Sequence, residues 1–305
     1  MKYRFIGWVV WSLFFGFGAV SQELDRSPSR DRGRKVPEGI EIREGVVFAT
    51  YGNRKLKMDL LIPEKAQKPL RFLVFVHGGG WRSGNRQSFR RQAYRMVSKG
   101  YGAALIEYRL SGEATFPAAI HDCKAAVRWL RAHAEELGVD SGRIAAVGGS
   151  AGGHLAAFLG TTAHLKRFEG EGGCASFSSQ VHAVVAFNPA LDFEDFAWHQ
   201  DVQKYKNSLI PFLGGTYLDN PKIWIDASPI THVSSRSAPF LILHGTADPV
   251  VPYRQSVSMT EALRRAGVEV ELFSAEGQGH SFFRRGEWVE KTGQAMEVFL
   301  ERHLR

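Results

Sequence analysis

Cysteine is nearly absent. Only Cys123 and Cys174 occur in 305 residues, which excludes a disulfide framework and a four-cysteine zinc site but leaves a single bridge between the two open. Long apolar runs are as scarce. Only residues 5–20 form one without charge, and the mean hydropathy is −0.20, so a multi-pass membrane protein is excluded. Nucleotide-binding signatures are missing as well. Neither glycine cluster fits G-x-G-x-x-G, and where Gly148 to Gly153 have Walker-A glycine spacing, His154 and Leu155 stand in place of Lys and Ser/Thr. Acidic residues are in the minority, 31 against 39 Lys and Arg, for a net charge of +8. That balance permits contact with anionic surfaces without specifying a nucleic-acid function. What remains is ordinary for a folded chain with a sizeable core: 44% hydrophobic and 23% charged residues, which excludes disorder as the main state.

Lys2 and Arg4 precede the uncharged run, and Ala19 and Ser21 give an A-x-S pattern before Gln22. This layout predicts a secretory signal peptide over 1–21. An uncleaved anchor is the competing reading, although a spanning helix wants about 20 apolar residues. Residues 22–39 are expected to form a basic, flexible linker, with DRSPSRDRGRKVP at 25–37. Its basic character suits a solvated tail, with contact to anionic polymers or membrane surfaces as the rival reading. The mature protein is then expected to be exported, to the periplasm or beyond, with no stable membrane insertion and no nucleic-acid partner.

From residue 40 onward, strand and helix patterns alternate. Val46 to Phe48 and Leu56 to Ile62 read as strands joined by a Gly52-Asn53 turn. RFLVFV at 71–76 is a continuous apolar run of the kind found in parallel strands buried on both faces. Residues 103–106, 144–147, 181–187 and 240–243 are similar, and helical patterns fall at 86–99, 117–136, 151–163, 253–266 and 286–303. The pattern predicts an α/β fold: a mostly parallel sheet with helices on both faces, in one domain over 40–305 with a small cap-like insert near 164–230. The insert is aromatic-rich, with Phe193, Phe196, Trp198, Tyr205, Phe212, Tyr217 and Trp224. It reads either as a partial lid over a pocket or as ordinary packing on the sheet.

Four motifs carry chemistry. Gly148-Gly149-Ser150-Ala151-Gly152 fits G-x-S-x-G between a strand and a helix, where a sharp turn exposes a serine at the top of a sheet and a helix N-terminus favours developing negative charge. His77-Gly78-Gly79-Gly80-Trp81 follows the buried RFLVFV run. The backbone N–H groups of Gly79, Gly80 and Ala151 are the candidate donors for an oxyanion. A serine needs a base and an orienting acid. Asp248, in HGTADPVVP after the strand FLIL, and His280, in GQGHSF after the strand VELF, supply them in the order Ser150, Asp248, His280. Among the other histidines, His77 and His244 are expected to brace turns and His154 to be structural. Asp192 and Asp226 are the rival acids, with turn capping as the alternative role for Asp192.

With these motifs in order, residues 45–284 resemble an α/β-hydrolase of the esterase/lipase group. They are most similar to the bacterial bifunctional feruloyl and acetyl-xylan esterases, which share the HGGG loop of the hormone-sensitive-lipase group. The resemblance implies a serine carboxylesterase without metal or organic cofactor, acting on a small-molecule or polysaccharide ester. Glu107-Tyr108-Arg109 departs from the Asn-Tyr-Arg often seen there, and an ion pair of Glu107 with Arg109 or with another neighbour is open. Rival readings are a peptidase or arylformamidase on the same fold, and a non-catalytic polyanion- or membrane-binding protein.

Overall fold

A computed structural model describes residues 37–305, apart from residues 200 and 201. The expected signal peptide and all but the last residues of the expected linker lie outside the described residues. Eight strands form one sheet: β1 (Ile40–Tyr51), β2 (Arg54–Pro63), β3 (Leu70–Val76), β4 (Gly102–Ile106), β5 (Val139–Gly149), β6 (Ala183–Phe187), β7 (Phe240–Gly245) and β8 (Val270–Ala275). Their order is β1-β2-β4-β3-β5-β6-β7-β8, and only β2 runs against the others. The Gly52-Asn53 turn joins β1 to β2, with Tyr51 opposite Arg54 and Gly52 at a φ of +55°.

The run RFLVFV explains why the sheet is covered twice. Successive strand side chains point to opposite faces. Phe72, Val74 and Val76 accordingly enter one core, while Leu73 and Phe75 enter the other. Strands β6 and β7 divide the same way, with Val184, Ala186, Phe240 and Ile242 on the first face and Val185, Phe187, Leu241 and Leu243 on the second.

The described helices are α1 (Arg90–Val97), α2 (Ala118–Ala132), α3 (Ala134–Leu137), α4 (Ala151–Thr162), α5 (Phe193–Trp198), α6 (Val202–Leu213), α7 (Pro221–Asp226), α8 (Arg254–Arg265) and α9 (Trp288–His303). Ile120, Leu155, Phe158 and Met259 bring α2, α4 and α8 to the first core; Ala93, Met96, Met296 and Phe299 bring α1 and α9 to the second. Strand β6 passes through the stretch 164–230, so the chain outside the sheet there comes as two segments, one before β6 and one carrying α5, α6 and α7. Both cysteines are free thiols, and Cys123 is buried on α2. Among the described residues no helix is long and apolar enough to cross a membrane.

The segment before β6 is fixed to α2 by charge. Lys124 and Arg128 lie one helical turn apart and are both fully buried. Glu169 accepts from Lys124 at 2.8 Å, from Arg128 at 2.9 Å and from the Ser179 hydroxyl at 2.7 Å. Burial pushes the Lys124 ammonium down, against the pull of Glu169. It would raise the Glu169 carboxyl, but Lys124 holds that group below its usual range. Removing one partner from such a set strands the others without compensation. Glu169→Ala should therefore lower the stability by about 3–5 kcal/mol, read as a shift of the urea midpoint at unchanged slope. A loss below about 1 kcal/mol would show that Lys124 and Arg128 are satisfied by backbone carbonyls alone.

Candidate active site

Strand β5 ends at Gly149 and α4 begins at Ala151, so Ser150 alone makes the corner. Its φ of +56° and ψ of −124° lie outside the regions open to most L-residues. The Ser150 N–H donates to the Phe187 carbonyl at 2.8 Å, tying the corner to the end of β6. The backbone behind the corner is crowded: a Cβ on Gly152 would stand 2.1 Å from the Val76 carbonyl oxygen. Only glycine lets α4 start this close to β3.

The loop after β3 passes beside Ser150. Gly79 has a φ of +122°, and its carbonyl accepts from the Ser83 N–H at 3.1 Å, which folds the glycines into a tight turn. Among the described residues nothing accepts from the N–H of Gly79 or Gly80. The Ala151 N–H, in the first turn of α4, is likewise without a partner in its own helix. Tyr108 braces the start of this loop. Its hydroxyl donates to the His77 carbonyl at 3.0 Å, and its ring stacks on the His77 ring at 4.3 Å. Glu107 and Arg109 do not pair with each other. Glu107 bonds Arg86 and Arg54, whereas Arg109 makes a bidentate pair with the buried Asp122 at 2.7–3.1 Å.

The loops after β7 and β8 converge through their backbones: Thr246 N–H to the Ala275 carbonyl at 3.0 Å, Ala247 N–H to the Gln278 carbonyl at 3.0 Å, and Gly277 N–H to the Thr246 hydroxyl at 2.8 Å. Asp248 and His280 meet as a result. The Asp248 carboxylate has no exposed surface. Its Oδ1 accepts from the N–H groups of Val250 at 2.7 Å and Val251 at 3.0 Å. Its Oδ2 accepts from His280 Nδ1 at 2.7 Å, and His244 Nε2, which donates to the Val251 carbonyl at 3.0 Å, lies 3.2 Å from the same oxygen. Burial would raise this carboxyl, but the contacts from His244 and His280 outweigh it and hold Asp248 far below the usual carboxylate range. Because His280 donates through Nδ1, its Nε2 is the free acceptor. His244 is held in turn by the Ser256 hydroxyl of α8, 2.6 Å from Nδ1.

Ser150 and His280 line one cleft of about 350 Å³, together with Gly79, Gly80, Asn188 and Arg284. Of the rival acids, Asp192 caps α5 by accepting from the Asp195 N–H at 3.1 Å, and Asp226 pairs with Arg167 at 3.2 Å. Neither touches a histidine side chain of the cleft. Phe193 and Phe212 of the insert pack: Trp81 stacks on Phe212 at 4.7 Å and meets Phe193 edge-on at 5.5 Å, while Trp198 is exposed, and none of the described insert aromatics lines the cleft. His154 accepts from the Trp81 indole N–H through Nδ1 at 3.2 Å and donates through Nε2 to the Ala227 carbonyl at 2.8 Å.

Sequence reasoning passed over three residues here. His244 braces the turn after β7 through the Val251 carbonyl, as expected, but it also lies 3.2 Å from the acid, and its i, i+4 spacing to Asp248 is the available signal. Asn188 sits at the carboxyl end of β6, where ligand sites of parallel sheets lie. It is fully buried at a φ of +44°, and its amide atoms have no partner. Arg284 follows His280 by one turn of chain. Among the described residues no group of His, Cys, Asp and Glu is arranged to hold a metal ion.

Residues 58–263 match the family profile described as BD-FAE. Esterase LipC of Mycobacterium tuberculosis is 34% identical over 76% of this chain and 58% of its own length. Ethyl acetate hydrolase of Pseudomonas putida is 29% identical over 75% of this chain and 71% of its own. The chain spans about half the length of the mycobacterial relatives it matches. Among solved structures, the butyrate-bound esterase Est2 of the planctomycete Thermogutta terrifontis superposes with a TM-score of 0.73 at 34% identity, covering 87% of this chain and 94% of that one.

Two buried imidazoles, His77 and His154, make stability depend on pH. Burial pushes His77 and His154 down to about 4, and protonating His154 would cost it the Trp81 hydrogen bond. Unfolded, each ring titrates near 6.5. The unfolded chain therefore binds more protons between these values, and stability falls as pH drops from about 6.5 to 4, by up to about 1.4 kcal/mol per pH unit for each ring. Asp248 acts only lower, since its contribution is full above its unfolded value of about 3.9. Urea midpoints measured at pH 7, 6 and 5 should decline across this range; a flat profile would mean that both rings accept protons while the fold is intact.

Proposed function

The chain belongs to the BD-FAE family and has the α/β-hydrolase fold, and from that premise we propose that it is a serine carboxylesterase. Its substrates in this reading are short-chain acyl esters, among them acetyl or feruloyl esters on plant polysaccharide. The observation that carries the reading is one cleft lined by a strained corner serine and by a histidine whose Nδ1 is engaged by a buried carboxylate. His280 Nε2 takes the proton as Ser150 Oγ attacks the ester carbonyl. Asp248 fixes the tautomer and stabilises the imidazolium. The N–H groups of Gly79, Gly80 and Ala151 receive the oxyanion, backed by the N-terminus of α4. His280 then protonates the leaving alcohol, and water cleaves the acyl-enzyme by the same steps with His280 again as base. Residues 1–21 act as a cleaved signal peptide in this reading, and the enzyme works outside the cytoplasm.

Ser150→Ala should reduce turnover of p-nitrophenyl acetate by on the order of 10⁶-fold with the circular dichroism spectrum unchanged. His280→Ala should be about as damaging and Asp248→Asn somewhat less. The double variants should be no worse than Ser150→Ala alone, because the three act as a unit. Wild-type turnover in folded Ser150→Ala would sink the assignment, and a collapse on Asp192→Asn with Asp248→Asn active would move the acid.

Acyl length follows from the cleft. Its walls are mostly glycine and polar side chains, with Phe283 as the only large apolar residue among those described. Each further methylene gains about 0.8 kcal/mol only where an apolar wall buries it. The butyrate held by Est2 supports the same size class. Specificity constants for p-nitrophenyl esters should therefore peak between C2 and C4; a steady rise beyond C8 would reveal an apolar groove and overturn the short-acyl reading.

A further inference from the structure

The cleft carries a charge that none of the described residues neutralises. Arg284 lines it beside Ser281 and His280. The other arginines around the glycine loop are occupied: Arg86 by Asp59 and Glu107, Arg90 by Glu44 and Asp59, and Arg82 by the Asn207 carbonyl. Arg284 has no such partner among the described residues. It is held over the rings of Phe283 at 5.3 Å and Phe89 at 5.7 Å, a contact that orients a guanidinium without cancelling its charge. Arg284 and Ser281, three residues earlier, are both exposed residues, and the Ser281 hydroxyl has no partner among the described residues either. None of the described residues lining the cleft is Asp or Glu. Asp248, which holds His280, is buried with three hydrogen bonds already upon it and the His244 ring against it.

Resting on the esterase reading, we infer that Arg284 is a subsite for a carboxylate carried by the substrate, with Ser281 as a second donor. The enzyme would prefer esters that bear a free acid group over their neutral counterparts. A guanidinium presents a planar fork that matches a carboxylate in two parallel hydrogen bonds. The acid group belongs on the alcohol portion of the ester. Arg284 is on the His280 loop, and in the proposed mechanism His280 hands its proton to the leaving alcohol, so the fork lies on the leaving-group side.

The test compares 4-acetoxybenzoate, whose leaving phenol carries the carboxylate, with its methyl ester, which is neutral. A second pair, p-nitrophenyl hemisuccinate against p-nitrophenyl butyrate, places the charge on the acyl side. The wild type should favour 4-acetoxybenzoate by about 10–100-fold in kcat/KM, the range of a charge-assisted hydrogen bond, and should show a smaller preference in the second pair. The ratio should fall towards one in Arg284→Met, recover in part in Arg284→Lys, and shrink with added salt. Hydrolysis of both acetoxybenzoates at equal rates would overturn the subsite and leave the esterase standing. A larger preference in the hemisuccinate pair would overturn the placement on the alcohol side. Binding of 4-hydroxybenzoate and 4-hydroxybenzamide to folded Ser150→Ala reads the subsite without turnover. Tighter acid binding that is lost in the additional Arg284→Met background supports it even if no ester is cleaved, and equal binding refutes it.

Discussion

A carboxylate with no exposed surface stays ionised here because three hydrogen bonds end on it and a second imidazole lies against it. Two backbone N–H groups and two imidazoles converge on Asp248, and together they outweigh a burial that would otherwise protonate it. Much of the cleft's order follows. The loop after β8 is drawn against the loop after β7, His280 is fixed in one tautomer, and its free nitrogen is left for the cleft that Ser150 lines. The support extends outward: His244 is steadied by Ser256 of α8, so a helix packed on the sheet's first face reaches the acid through one side chain.

The two sides of the cleft are braced by different physics. On the acid side the bracing is ionic and polar. On the glycine side it is aromatic, with Tyr108 stacked on His77 and Trp81 between Phe212 and Phe193. The His154 ring joins the two regimes. It is neutral, with one nitrogen accepting from Trp81 and the other donating to Ala227, so the turn of the glycine loop is tied to the chain just beyond α7.

Much of this was legible in the sequence because the signals are local. RFLVFV announces a strand covered twice, G-x-S-x-G between a strand and a helix announces a corner, and the strand-end settings of Asp248 and His280 single them out among many candidates. What was not legible depends on separate loops meeting. The partners of Glu107 are Arg86 and Arg54, on other segments of the chain, while Arg109 is taken by Asp122. No spacing rule selects between those pairings. The aromatic insert was ambiguous for a similar reason: a ring that fills a core and a ring that lines a lid look alike until Trp81 is seen wedged among them. Arg284 stood out only once the partners of its neighbours were known, since an unpaired charge is a property of the surroundings and not of the residue.

The order of the strands has a consequence for how the molecule comes into being. The glycine loop and Ser150 belong to the first half of the chain, while Asp248 and His280 follow β7 and β8 at the far edge of the sheet. A growing polypeptide therefore displays its serine long before the residues that complete the site exist, and the last helix, α9, must still seal the second core. In the esterase reading, a chain that has not yet folded β7 and β8 into the sheet lacks both acid and base, so the reactive arrangement waits on the far edge of the sheet being laid down.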